Sequence, residues 1–278
     1  MRGVATMVRL AVNEMTTLRW SFEEDVHNYL AAGFDGIGIW RQKFDDFGEE
    51  AGIDFLAESG IDVSSLMWVG GFTGHDGVSY ADSIEDGVDV IRLGAAIGAS
   101  CVVAYTGGRG GHTHNHARRL ALTALQELGQ LADDLDVTLA IEPMHPGCGQ
   151  DWTFVSSLDA TLEMIDRLSL PSIKMVLDAC HLGHDPDFLA RVGDIVPHIA
   201  LVQLGDARSA PRREPDRTPL GKGHLPLREL IGCLGEQGYR GFYEVELMGQ
   251  EFEGRDYWDI LRESRIAVTE ICSGVPSV

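Results

Sequence analysis

Glu142, Asp178, Gln203 and Glu246 each stand at or near the end of a short apolar run, where an oxygen donor can be presented from a rigid element. In the stretch Thr138-Leu-Ala-Ile-Glu-Pro-Met-His-Pro146, the side chains of a strand alternate. Thr138, Ala140 and Glu142 then share one face, and Leu139 and Ile141 the other. If that strand lines a barrel, Glu142 points inward at its rim; taken alone, it could equally cap the following loop. Asp178, Gln203 and Glu246 occupy the last inward positions of the next three runs. Three carboxylates and one amide oxygen converging from consecutive strands form a hard shell suited to one divalent ion, Mg²⁺ or Mn²⁺, rather than to a thiolate-bound metal. Without a cation the carboxylates would repel one another.

The elements that must position these residues alternate along the chain. Eight times a short β-rich run precedes a longer stretch of helical period, the pattern of parallel βα architecture. Strands are expected over residues 7–13, 36–40, 62–68, 101–105, about 138–142, 173–178, 198–204 and 242–247. Helices are expected from Ser21, a plausible N-cap, to Ala32 with Gly33 as its stop, and over about 45–59, 83–97, 115–135, 157–168, 185–193 and 226–237. In the long segment 115–135, Leu125, Leu128, Leu131 or Ala132, and Leu135 recur at helical spacing. The closing helix carries Tyr257, Ile260 or Leu261, Ser264, Val268 and Ile271 along one stripe. This alternation, over about the 250 residues such a fold needs, makes a (β/α)8 TIM barrel the leading architecture, read as a single domain over 1–278. An open doubly wound sheet would favour a Gly-rich phosphate loop after its first strand, and Asn13-Glu-Met-Thr-Thr-Leu18 is not one. The loop over residues 205–226 is long enough to be functional or mobile.

Composition narrows the partners. With 278 residues, 44% of them hydrophobic, the chain can bury a large core. A formal net charge of -21 opposes binding to a phosphate backbone, so nucleic acid is not an expected partner. Part of that acidity could sit in a metal site, while solvated surface accounts for most of it. The first twenty residues hold Arg2, Arg9, Glu14 and Arg19 among short apolar pieces, which gives neither a signal-peptide core nor a membrane span. The expected location is the cytoplasm, without a membrane partner; a homo-oligomer is compatible with the sequence. Five cysteines, Cys101, Cys148, Cys180, Cys233 and Cys272, lack CxxC spacing and read as reduced, mostly buried thiols.

The motifs Ala140-Ile-Glu-Pro143, Val176-Leu-Asp-Ala-Cys-His181, Leu201-Val-Gln-Leu-Gly-Asp206, Pro219-Leu-Gly-Lys-Gly223 and Gly241-Phe-Tyr-Glu-Val-Glu246 together resemble the xylose isomerase-like barrel superfamily. The branch resembled is that of sugar-phosphate isomerases and epimerases, which includes ketose 3-epimerases, inosose-processing enzymes and dehydroshikimate dehydratases. The resemblance covers nearly the whole chain. It implies that Glu142, Asp178 and Glu246 are metal ligands, that His181 stands beside the substrate, and that Arg217 contacts substrate hydroxyls or a carboxylate. Isomerases and epimerases of the family usually have His where this chain has Gln203. Gln can still ligate through its carbonyl oxygen, and dehydrating members resemble this chain there.

The expected function is a divalent-metal-dependent isomerase or epimerase acting on a keto-sugar or related polyol through an enediolate, with Glu142 and Glu246 moving protons. The alternative is a lyase or dehydratase that expels water or an alcohol from a keto-sugar or cyclic keto substrate, with His181 or His145 as proton donor. An endonuclease-like reading is opposed by the charge, and a binding-only barrel by the paired glutamates. His145 is either a proton shuttle or a cap on the Pro146 turn. Trp40, Trp68 and Trp152 either wall a sugar pocket or simply pack, with Trp40 and Trp68 the substrate-binding candidates. His112, His114 and His116 have a spacing that could suggest metal but read as solvated loop or helix-start residues. Lys174 and Glu244 are expected to form a buried ion pair in a lower barrel layer.

Overall fold

The computed structural model describes residues 8–74, 77–212 and 216–273. Eight parallel strands, β1 (Arg9–Asn13), β2 (Gly36–Trp40), β3 (Asp62–Gly70), β4 (Val102–Tyr105), β5 (Leu139–Ile141), β6 (Ile173–Asp178), β7 (Ile199–Leu204) and β8 (Phe242–Val245), close into a barrel in sequence order. The ring shuts where β1 pairs with β8, with Leu10 opposite Tyr243 and Val12 opposite Val245. Helices surround it, giving the (β/α)8 TIM barrel expected from the alternation. Met7, expected to open β1, lies outside the described residues. Among the described residues no helix is long and apolar enough to cross a membrane.

Local chemistry sets most boundaries. Ser21 accepts from the Glu24 N–H at 3.2 Å while Glu24 accepts from the Ser21 N–H at 2.8 Å, and this reciprocal cap starts the helix Phe22–Ala32. Gly33, at φ 81°, ends it. The single helix expected over 45–59 is instead two, Arg41–Phe47 and Glu49–Ser59, broken at Gly48 with φ 103°. The break lets the buried Phe44 pack edge-on against Phe22 at 5.1 Å while its ring also lies over Gly52 in the second helix. The helix expected from Asp185 begins at Phe188. Asp185 Oδ1 accepts from the Asp187 N–H at 2.9 Å, an Asx-type turn that competes with the first helical turn. A short helix not expected from the sequence, Ala179–Leu182, directly follows β6, because Asp178 caps it. In the helix His114–Asp134, Leu125, Leu128 and Ala132 are buried, whereas Leu135 lies past its end and is 38% exposed.

The barrel interior is layered. Ala11, Val103, Ala140, Val176, Leu201 and Phe242 form an apolar plug, and the outward faces of the strands pack with the helices into a second core. Because inward positions recur every two residues, the next layer toward the C-terminal mouth is Asn13, Tyr105, Glu142, Asp178, Gln203 and Glu244, with Glu246 one step further. The site therefore rests on an apolar floor, at the end where barrels carry chemistry.

Lys174 and Glu244 do not pair. Register places Glu244 opposite Gln203 and Gln203 opposite Asp178, so Glu244 is level with Asp178. Lys174 lies four residues earlier on β6 (178 − 174), about 13 Å lower at the usual rise per residue, and is half-buried. Glu244 is instead held by Asn13 Nδ2 at 2.7 Å, Ser64 Oγ at 2.6 Å, Ser65 Oγ at 2.7 Å and Gln203 Nε2 at 3.4 Å. Gly38 gives this carboxylate its room, since a Cβ there would stand 2.6 Å from the Glu244 carboxyl carbon. Gly38→Ala is expected to destabilise the fold by about 1–3 kcal/mol through overpacking. Urea denaturation at neutral pH measures this.

Candidate functional site

Glu142 follows β5 and is fixed by its N–H, which donates to the Ala104 carbonyl at 3.2 Å. Asp178 ends β6, Gln203 lies on β7, and Glu246 follows β8, where its N–H donates to the Leu204 carbonyl at 3.0 Å. All four are at most 4% exposed. Asp178 Oδ1 accepts from the His181 N–H at 2.9 Å, and this bond turns the His181 ring back toward the barrel. His181 Nε2 then lies 3.6 Å from Glu142 Oε1. Ligand atoms of Glu142, Asp178 and His181 lie within 4.8 Å of one another, close enough to hold one ion.

A guanidinium enters this group from the loop after β7. Arg217 Nη2 is 2.8 Å from Glu246 Oε1 and 3.0 Å from Asp178 Oδ2, and its Nη1 donates to the Glu246 carbonyl at 2.8 Å. Glu246 Oε2 accepts from Gln203 Nε2 at 2.6 Å. Both Glu246 oxygens are thus engaged. Three buried oxygens on the neighbouring positions have no hydrogen-bond partner: Glu142 Oε2, Asp178 Oδ2 and Gln203 Oε1. The contact of Asp178 Oδ2 with Arg217 is an ion pair without hydrogen-bond geometry. Buried unsatisfied oxygens are costly, and their clustering is what a cation-binding site would display. The donor set is hard and oxygen-rich, with one imidazole beside it, so the residues present fit a divalent ion.

The same enclosure separates the carboxylates chemically. Burial, reinforced by the charges of Glu246 and Asp178, holds the Glu142 carboxyl well above the usual carboxylate range. Burial pushes Glu246 up to about 7 against the opposing pull of Arg217. Asp178 is buried too, but Arg217, His181 and the backbone N–H groups of His181 and Cys180 outweigh that burial and keep its pKa low. Burial lowers His181 to about 4, so its imidazole is neutral at pH 7. Carboxyl groups pushed in opposite directions, Asp178 down and Glu142 and Glu246 up, therefore share a single pocket, which suits proton transfer.

The remaining expected residues fall in different places. Arg217, expected to face substrate, is 2% exposed and turned onto Asp178 and Glu246; its Nε is a buried donor without a partner. The Nδ1 of His145 accepts from the Gly147 N–H at 3.0 Å, the turn-capping geometry, and its ring lies 5.9 Å from that of His184. Trp68 meets Tyr105 at 5.7 Å and Trp152 at 5.0 Å, and Trp152 is 46% exposed. Trp40 ends β2, where its N–H donates to Glu14 Oε2 at 2.7 Å. His112 and His116 stack at 4.8 Å on the loop and helix after β4. Of the cysteines, Cys101 and Cys180 are buried and the other three half-buried. Two residues near the site were not singled out from sequence. Tyr105 has its hydroxyl pKa raised by burial and by the adjacent Glu142 and Glu246 charges. Cys148 Sγ lies 3.8 Å from His181 Nδ1. The position of Tyr105 at the end of β4 was the available signal for the first; no sequence spacing connects Cys148 to His181.

Comparison with known proteins matches residues 26–264 to the family described as xylose isomerase-like TIM barrel. The chain is similar to an inosose isomerase of Halalkalibacterium halodurans, 23% identical over 282 residues covering 96% of this chain and 97% of the relative. It is also similar to a fructoselysine 3-epimerase of Escherichia coli O157:H7, 27% identical over 128 residues covering 45% of this chain and 43% of the relative. Among solved structures, the IolI protein with a bound zinc atom superposes with a TM-score of 0.84 at 20% identity, over 98% of this chain and 100% of that one.

Arg217→Met leaves Asp178 and Glu246 buried and unpaired, and should cost about 3–5 kcal/mol at pH 7.5, the range for breaking a buried pair. Glu246 has a raised folded pKa, so its ionisation costs stability as pH rises through about 7. The loss should therefore shrink at pH 5.5, where Glu246 takes up a proton. Urea denaturation of wild type and variant at the two pH values measures the difference.

Proposed function

The chain belongs to the xylose isomerase-like TIM barrel family, and we propose that it is a divalent-metal-dependent isomerase or epimerase acting on a keto-sugar or related polyol. The observation that carries this reading is the set of orphaned buried oxygens on Glu142, Asp178 and Gln203, beside a Glu246 poised near neutrality. Similarity to an inosose isomerase and a fructoselysine 3-epimerase supports it, since both activities rearrange a carbon next to a carbonyl. The zinc in the IolI structure supports a divalent cation in a barrel of this shape.

Glu142, Asp178, Gln203 and Glu246 would hold the ion, with Mn²⁺ or Mg²⁺ matching the oxygen donors. When bound, it polarises the substrate carbonyl and stabilises the negative charge of an enediolate. Glu142 and Glu246 are suited to move the α proton, one taking it and the other returning it. Their strands, β5 and β8, are three apart around the ring, so the two carboxyls approach a central substrate from different sides. Proton return to the neighbouring carbon is isomerisation; return to the same carbon from the other side is epimerisation. Asp178 stays ionised throughout. His181, neutral and 3.6 Å from Glu142, borders the reacting centre, and His145, whose Nδ1 caps its own turn, keeps Nε2 as a further proton carrier. Arg217 Nε is the donor left for a substrate hydroxyl or carboxylate, and Trp68 in β3 and Trp40 at the end of β2 are the candidates to wall the mouth. Gln203 is a neutral ligand where the family's epimerases usually have His, and this favours a lyase as the second reading.

Incubating ketoses and cyclic keto compounds with the protein and Mn²⁺ in heavy water separates the outcomes. Deuterium at the α carbon of a rearranged sugar supports the proposal; release of water or an alcohol with formation of an enone identifies a lyase. Asp178→Ala should abolish Mn²⁺ uptake in elemental analysis and calorimetry. Wild-type protein that takes up neither Mn²⁺ nor Mg²⁺ would sink the mechanism. His181→Ala should keep the metal but slow turnover by about two to four orders of magnitude, the range for losing a positioned acid-base group.

A further inference from the structure

Asp206, two residues past β7, is 1% exposed and is used entirely by backbone. Its Oδ1 accepts from the N–H groups of Ala207 at 2.8 Å and Leu225 at 3.2 Å. Its Oδ2 accepts from those of Gly221 and Gly223, each at 2.9 Å. Its carbonyl accepts from the Thr218 N–H at 2.7 Å, and the His224 N–H donates to the Ala207 carbonyl at 2.8 Å. Residues 218–225 thus wrap one carboxylate. Two glycines are needed for the wrap: Gly221 has φ 76°, and a Cβ on Gly223 would collide with the Asp206 carboxylate. Hydrogen bonds to an ionised acceptor are the strong ones, and four on one side chain bind a segment that has no regular secondary structure.

What this turn delivers is Arg217, the residue immediately before it. Its own N–H donates to the Met248 carbonyl at 3.1 Å, so the backbone is fixed on both sides. Gly205 leaves the path for the side chain, since a Cβ there would stand 2.9 Å from Arg217 Cδ. The guanidinium then lies on Glu246 Oε1 and Asp178 Oδ2, both of them atoms that a divalent ion would require. Two cations cannot share these oxygens at full strength in a low-dielectric pocket.

We propose that Asp206 is the positioning residue for Arg217: by holding the 218–225 turn on its carboxylate, it keeps the guanidinium across Asp178 and Glu246 and thereby weakens the hold of that pair on a divalent cation. The second half rests on the metal-dependent reading of the site. Asparagine at this position can accept through one atom only and must turn its amide toward N–H groups, so Asp206→Asn releases the turn. An ordinary loss of packing would weaken ion binding, whereas withdrawal of the competing charge strengthens it.

The experiment is Mn²⁺ titration calorimetry on wild type, Asp206→Asn, Arg217→Met and the double variant, with amide hydrogen exchange on each. Asp206→Asn is expected to bind Mn²⁺ at least about tenfold more tightly, as follows from drawing the unit positive charge of the guanidinium away from the site. Arg217→Met should do the same, the double variant should add nothing, and the amides of Gly221, Gly223 and Leu225 should exchange faster. Gly223→Ala, which displaces the turn without deleting the carboxylate, is the second route and should tighten Mn²⁺ likewise. Unchanged or weaker binding in both Asp206→Asn and Gly223→Ala overturns the proposal. If wild type takes up no Mn²⁺, the metal reading falls and the affinity half of this inference falls with it. Urea midpoints then still decide the positioning half: a loss in the double variant smaller than the sum of the two single losses supports it, and additive losses overturn it.

Discussion

Arg217 lies 2.8 Å from Glu246 Oε1 and 3.0 Å from Asp178 Oδ2 with 2% of its surface exposed. Charges so enclosed are tolerated only while all members remain in place, because each would be costly alone in the barrel mouth. Much of the surrounding structure serves that condition. Gly205 leaves room for the arginine side chain, Asp206 folds the turn that carries it, and Gln203 donates to the glutamate oxygen that the guanidinium does not reach.

The same enclosure gives the carboxylates unequal characters. Asp178 keeps a low pKa because it faces a cation and the N-terminal N–H groups of a short helix. Glu142 has the same burial, and the negative charges of Glu246 and Asp178 add to it, so its pKa is raised. Glu246 lies between these extremes at about 7. The local field rather than residue type assigns the roles, and this is how one kind of side chain serves as both acid and base in a single pocket.

Below this group, Glu244 satisfies Asn13, Ser64 and Ser65 and also receives the Gln203 amide. With its nitrogen drawn to Glu246 and Glu244, Gln203 must direct its carbonyl oxygen elsewhere, and that oxygen is one of the three without a partner. The Gln203 amide is therefore oriented by its neighbours, not free to choose which atom it presents.

The sequence by itself determined the eightfold alternation, the strand ends at Trp40, Asp178 and Leu204, and the inward alignment of Glu142, Asp178, Gln203 and Glu246, because side-chain alternation and helix caps are local properties. Its errors lie where partners come from distant strands or from a competing local bond. Lys174 and Glu244 share inward parity, but the strand register puts Glu244 level with Asp178, two layers above Lys174. Gly48 breaks a helix that looks continuous, and the Asp178 cap creates a short helix between β6 and the next long one. Only the tertiary structure decided that Arg217 turns onto Asp178 and Glu246, that Cys148 meets His181, and which carboxylates have their pKa raised and which lowered. Those outcomes depend on burial and on charges from elements far apart in the chain, and neither is encoded in the spacing of any one segment.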